Sequence, residues 1–190
     1  MQIETGYVAT SYIPTYGATA TRAADVSTSA ATTRSQDKPS IGSVYMSNIL
    51  NGLEGTVFSQ GRFFGADASY NNPTIYIHDG TSNNYIALFG YANSYGWAQS
   101  SSGTQAGISG GATAINTEYR LGFAYKANNF AFVSNGGTVG TDTSGSVPVV
   151  NQVAIGYRME NQSVSYNGHI KKISYYPKRL SNTELQALTQ

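Results

Sequence analysis

Cysteine is absent from the 190 residues. That excludes disulfides, thiolate metal sites and cysteine nucleophiles, and it leaves the redox compartment open. Charge is scarce as well: 11 Lys and Arg against 10 Asp and Glu leave a net charge of +1. A nucleic-acid footprint needs a basic face and a high pI, so no nucleic-acid partner is expected, and no acidic or basic tail is present. No apolar run approaches the roughly 20 residues of a membrane-spanning helix, so no membrane insertion is expected. Met1-Gln2-Ile3-Glu4-Thr5 has neither a basic start nor an apolar segment, and it does not read as a signal peptide.

What the chain does have is uncharged polar residues and rings. Ser, Thr, Asn and Gly make up 77 of the 190 residues, with 15 Tyr and 7 Phe beside them. These are turn formers and strand-surface residues that are poor in helix interiors. The aromatic load is too high for an unfolded polar segment. The expected class is all-β with one main domain, long enough to bury a core.

Residues 1–40 stand apart. Ser, Thr and Ala dominate from Thr15 to Ser40 with no surviving period, so this stretch reads as an extended N-terminal arm or linker, the end of a preceding domain. Residues 41–190 read as the sandwich domain. Val44-Tyr45-Met46, Thr56 to Gln60, and Phe63-Phe64 are read as strands. Thr74 to His78 puts Ile75 and Ile77 on one face and Tyr76 and His78 on the other. Asp79-Gly80 opens a hairpin toward Tyr85 to Phe89. Leu121, Phe123 and Tyr125 share a face, and so do Val153, Ile155 and Tyr157. Lys126 to Asn129 and Asn135-Gly136-Gly137 are turns, the latter leading into Thr138-Val139. Ser109-Gly110-Gly111 also reads as a hairpin turn. The Lys171-Lys172 pair breaks the alternation of the last strand, Gly168 to Tyr176, and predicts a bulge. Then the period changes: Ser181 as N-cap and Glu184 three residues on form a capping box, with Leu180 and Leu185 placed for a hydrophobic staple. Many short strands separated by Gly, Asn and Ser turns predict an antiparallel jelly-roll β-sandwich with a short C-terminal helix.

Two stretches carry a resemblance. Gln2-Ile3-Glu4-Thr5-Gly6-Tyr7-Val8-Ala9-Thr10-Ser11-Tyr12-Ile13-Pro14-Thr15, with Thr21-Arg22-Ala23-Ala24-Asp25-Val26, resembles the QLE-G-ATSYIPT…TRAADV junction of bacteriophage virion and tail proteins. Gly168-His169-Ile170-Lys171-Lys172-Ile173, leading to Leu180-Ser181-Asn182-Thr183-Glu184-Leu185, resembles the closing strand and helix of laminin-G-like, concanavalin A-like domains. Together they cover about 40 residues. The resemblance implies a concanavalin A-like jelly roll located in a virion, on an appendage such as a tail fibre, with other virion proteins and a bacterial surface glycan as partners. It does not imply an enzyme, because this fold hosts lectins, enzymes and spacers alike. The alternating carboxylates of concanavalin A-like glucanases have no counterpart here, and no two of the ten acidic residues are neighbours or alternate on one strand.

No cofactor is expected. His78 and His169, the two histidines, are read as a turn support and a surface residue rather than metal ligands. Laminin-G-like domains sometimes bind Ca²⁺, but Asp67, Asp79 and Asp142 lie in turn contexts without an Asp-x-Asp-x-Asp loop, so turn duty is the better reading. The candidate glycan site is Tyr91 to Gln105, which holds the single Trp. Sugars stack an apolar face on a ring while amides bond the hydroxyls. Trp97, Tyr95, Tyr91, Asn93 and Gln99 are therefore the expected contacts, with Tyr70 and Asn84 on neighbouring loops. The rival reading makes Trp97 a core filler and the domain a structural virion protein whose Tyr faces and arm join subunits of a homo-oligomer.

Overall fold

A computed structural model describes residues 38–65, 72–90, 93–159 and 165–190. The elements in chain order are β1 (Ser40–Ile41), α1 (Ser43–Met46), β2 (Glu54–Phe63), β3 (Asn72–His78), β4 (Tyr85–Gly90), β5 (Ser94–Ser100), β6 (Gly103–Gly111), β7 (Glu118–Lys126), β8 (Phe130–Ser134), β9 (Gly140–Asp142), β10 (Gln152–Ile155), β11 (Gly168–Tyr176) and α2 (Asn182–Leu188). They build a six-stranded sheet in the order β1-β10-β3-β4-β5-β6 and a five-stranded sheet in the order β11-β2-β7-β8-β9. Every pairing is antiparallel. The molecule is a jelly-roll β-sandwich with a short C-terminal helix.

The two inner faces differ in kind. The six-stranded sheet contributes aliphatic and small residues such as Ile75, Ile77, Ile86, Leu88 and Ala98. The five-stranded sheet contributes rings, among them Phe63, Tyr119, Phe123, Phe130 and Phe132. The rings need room, and glycines on the facing sheet provide it. A β-carbon on Gly90, Gly96 or Gly110 would come within 2.3, 2.2 or 2.5 Å of the rings of Phe63, Phe123 and Phe132. Interlocking of this sort fixes how the sheets sit on each other, since close-packed interiors tolerate little change in volume.

The closing elements follow the sequence reading. The β11–β2 register shifts between Ile170 and Lys172. That bulge leaves Lys171 and Lys172 both exposed while Ile170 and Ile173 stay half-buried. At α2 the Ser181 hydroxyl accepts the Glu184 N–H at 3.2 Å, and the Glu184 carboxylate accepts the Ser181 N–H at 2.7 Å. Leu180 and Leu185 are buried at either side of that cap, and Leu185 packs over Gly122 of β7. Ser181→Ala should cost about 1 kcal/mol of stability by leaving one helix N–H unbonded. Urea denaturation reads this as a lower midpoint at unchanged slope, and an unmoved midpoint would show that the cap contributes nothing.

Several local expectations are corrected. Val44-Tyr45-Met46 lies in the single-turn helix α1, not a strand. Thr56–Gln60 and Phe63 belong to one continuous strand, since Gly61 and Arg62 keep their pairings with β7 and β11, and Gly61 is a glycine because the His169 carbonyl and the Tyr119 and Tyr166 hydroxyls leave no room for a side chain. Ser109-Gly110-Gly111 ends β6 instead of turning. The strand after Asn135-Gly136-Gly137 begins at Gly140, not Thr138. Tyr157 leaves the face of Val153 and Ile155, since Gly156 adopts φ +76° and reverses the alternation. Of residues 1–40, all but the last three lie outside the described residues, and Ser40 pairs with Ala154 at the sheet edge.

Candidate functional site

Strand β5 carries three of the candidate residues, Tyr95, Trp97 and Gln99. Its inward positions are Ser94, Gly96 and Ala98, all buried; its outward positions are Tyr95, Trp97 and Gln99, all half-buried. Small inward residues are required because Phe123 occupies the space above Gly96. The polar and aromatic side chains are therefore displayed on the outer face of the six-stranded sheet, on a strand and not on the loop that composition suggests.

Trp97 is flanked in register by Ala87 on β4 and Gly107 on β6. Both neighbours are small, so the indole lies down over β6. A β-carbon at Gly107 would meet ring atoms Cζ3, Cε3 and Cη2 at 2.6, 3.0 and 3.4 Å. The indole N–H donates to Gln99 Oε1 at 3.2 Å, and Thr104 Oγ1 donates to the same oxygen at 3.2 Å. Tyr95 meets Trp97 edge-on with centroids 5.8 Å apart and Phe89 at 4.8 Å. The row continues through Phe89 to Tyr76, which stacks on Tyr85 at 4.5 Å. Arg158 sits 4.7 Å over the Phe89 ring, and Tyr157 and Met159 pack beside it. Tyr76 and Phe89 are thereby buried, at 0% and 2% exposure, so the row is accessible at its ends: Tyr95 and Trp97 on β5, and Tyr85 on β4, the register partner of Gln99.

The neighbouring turn is braced from inside. The Asp79 carboxylate accepts from the Thr81 N–H and hydroxyl and from Asn84 Nδ2 at 2.7 Å. Burial pushes its carboxyl up, but these donors outweigh it and hold the group below the usual carboxylate range. Asn84 Oδ1 accepts the Ser101 N–H at 3.1 Å, which ties the β3–β4 turn to the β5–β6 turn. Asn84 thus acts as a brace between two turns, with both its polar ends bonded within the protein. Asp142 likewise accepts from Ser144 N–H and hydroxyl, and no group of three His, Cys, Asp or Glu side chains gathers among the described residues. Asn93 is exposed at the start of β5. Tyr70, Tyr91 and Asp67 lie outside the described residues.

His78 supports the turn, as expected: its Nδ1 accepts the Gly80 N–H at 2.9 Å. Nε2 must then carry the proton, and it is buried without a partner among the described residues. Burial holds the His78 pKa below its ordinary 6.5, and nearby Asp79 offsets this only in part. The unfolded chain therefore binds a proton that the folded one resists, and stability should fall as pH drops below about 6.5 until the folded histidine also titrates. His78→Asn, which keeps an acceptor for Gly80, should flatten that slope. Denaturation midpoints from pH 7.5 to 4.5 would show this, and equal slopes in the two proteins would contradict it. His169 is exposed, edge-on to Phe64.

A concavity of about 340 Å³, apart from β5, lies beside α2 and is lined by Glu118, Arg120, Asn135, Thr189 and Gln190. Its charges are spent on each other: Glu118 accepts from Gln60, Arg120 and Lys171, and Arg120 also donates to the Gln190 carbonyl. Gly107, Thr104, Phe89 and Arg158 were not singled out from sequence. The alternation Tyr95-x-Trp97-x-Gln99 was the available signal for β5, but Gly96 and Ala98 between them hid its apolar face.

No family model matches the chain, and no curated protein matches it. Solved structures do share the jelly-roll fold. The CBM40 module of the Ruminococcus gnavus IT-sialidase, solved with α2,6-sialyllactose bound, superposes with a TM-score of 0.65 at 13% identity, covering 76% of this chain and 87% of that one. The Streptococcus pneumoniae NanB sialidase matches with a TM-score of 0.64 at 18% identity over 80% of this chain. This chain spans 27% of that enzyme's length. A heptameric SAP-like pentraxin from Limulus polyphemus matches with a TM-score of 0.54 at 14% identity, covering 72% of this chain and 70% of that one.

Proposed function

We propose that this domain is a non-enzymatic glycan-recognition module, carried by a phage virion appendage and directed at host-surface glycans, with the outer face of β5 and β6 as its binding surface. The observation that supports this most is the half-exposed Trp97 indole laid over Gly107, with a fixed amide beside it. A flat ring with a polar handle is what a pyranose needs, one apolar face to stack and hydroxyls to bond. The fold supports the same reading, since the CBM40 module that shares it was solved with sialyllactose. The virion setting rests on the resemblance of residues 2–26 to phage junctions. The test is a glycan array of bacterial envelope polysaccharides and sialylated oligosaccharides. Saturable binding to a defined structure is expected, and an array blank for the intact chain at millimolar affinity would remove the reading.

A second reading is favoured by one observation. Val44, Tyr45, Leu53 and Val149 are 79%, 72%, 77% and 81% exposed, around α1 and the approach to β10. Apolar side chains this open suit subunit contacts in a homo-oligomer with other virion proteins. Light scattering after size exclusion separates the two: a stable oligomer together with a blank array would support a structural role.

A further inference from the structure

Resting on the glycan reading of the β5–β6 face, we infer that Gln99 and Thr104 make the Trp97 platform selective for N-acetylated sugars. An indole N–H can only donate, so the atom of Gln99 that faces it at 3.2 Å is the amide oxygen. Thr104 donates its hydroxyl proton to the same oxygen, also at 3.2 Å. Both lone pairs of that oxygen are then occupied. The amide is planar, so pinning its oxygen also pins the NH₂ on the other side. There, among the described residues, Nε2 makes one contact, to the Ser100 carbonyl at 3.4 Å, the far limit of a hydrogen bond. One N–H of Gln99 stays unspent beside the indole. Thr104 is exposed, and having given away its proton it has only lone pairs to offer.

The platform therefore presents a fixed donor, Gln99 Nε2, and a fixed acceptor, Thr104 Oγ1, next to one ring. A sugar hydroxyl rotates to suit either and gains no selectivity from them. An acetamido group has a C=O that only accepts and an N–H that only donates, and it matches the pair in one pose. A carboxylate, which only accepts, satisfies Gln99 but opposes the Thr104 lone pairs. Sites built to bond a specific polar group discriminate strongly against the analogue that lacks it.

Calorimetry with three probes tests this: chitotriose, its non-acetylated counterpart cellotriose, and a glucuronate-terminated trisaccharide. The wild type should prefer chitotriose over cellotriose by about tenfold or more, the scale of one to two hydrogen bonds. Gln99→Glu keeps an acceptor for both the indole N–H and the Thr104 hydroxyl but has no donor, so it should erase the preference for chitotriose over cellotriose. Thr104→Val should reduce the preference independently, and it reads the same pair if the first variant fails to fold. An undiminished preference in both variants, no preference in the wild type, or tighter binding of the glucuronate probe would overturn the inference. Equal binding of chitotriose and cellotriose, lost on removing Trp97, would leave the glycan reading standing and this selectivity gone.

Discussion

Trp97→Ala should weaken glycan binding by about tenfold or more, because it removes both the stacking surface and the partner that orients Gln99. The indole makes an open end of an aromatic row, and its neighbours there offer no comparable flat face: Tyr95 on β5 stands edge-on to it, and Phe89 on β4 is buried. The fold should survive. Trp97 is half-buried and rests on Gly107 and Ala87, not in the core between the sheets, so the cost is about 1–2 kcal/mol, below that of emptying a fully buried ring site. Trp97→Phe should fall between, keeping a ring but leaving the Gln99 oxygen held by Thr104 alone. Gly107→Ala approaches the same point from below: a β-carbon 2.6 Å from the indole must tilt it, so binding should drop with the Trp still present. Calorimetry on the ligand found by the array checks the series. A Trp97→Ala protein that binds like the wild type would move the site elsewhere.

Gly96→Ala should be strongly destabilising for a change of one methyl group. Its β-carbon would stand 2.2 Å from Phe123 Cδ2, 2.5 Å from Cγ and 2.9 Å from Cε2. Phe123 is fully buried and cannot swing out to solvent. Overpacking of this kind costs about 3 kcal/mol, and for a domain near this size that lowers the melting temperature by roughly 6–12 °C. Phe123→Leu in the same molecule should recover part of the loss. The pair should therefore couple by more than about 0.5 kcal/mol, as contacting residues do. Additive effects, or a Gly96→Ala protein as stable as the wild type, would mean that the two sheets do not interlock at this point.

Sequence legibility followed side-chain size. Strands with large alternating residues, such as Ile75 and Ile77 or Leu121, Phe123 and Tyr125, declared their inner face. The Ser181–Glu184 box declared α2. The hairpin of β5 and β6 did not, because apart from Ile108 its inner positions are small: Ser94, Gly96, Ala98, Ala106 and Gly110, with Phe123 and Phe132 of the opposite sheet filling the space at the two glycines. An apolar alternation cannot be seen where the apolar member is a void filled from elsewhere. The same cause divided the candidate site. Tyr95, Trp97 and Gln99 were legible because they lie two residues apart on one strand. Gly107 and Thr104 arrive by pairing with β6, which spacing alone does not reveal. Asn84 was recognised by type but serves the turn, as its two bonds to Asp79 and Ser101 show.

The chain holds a single tryptophan, so its own emission reports on the site without a label. Titrating the array-identified glycan while recording that emission is the most direct test. A sugar stacked on the Trp97 indole should shift and saturate the signal at the dissociation constant found by calorimetry. Heat of binding with an unchanged spectrum would place the glycan away from β5 and contradict the account.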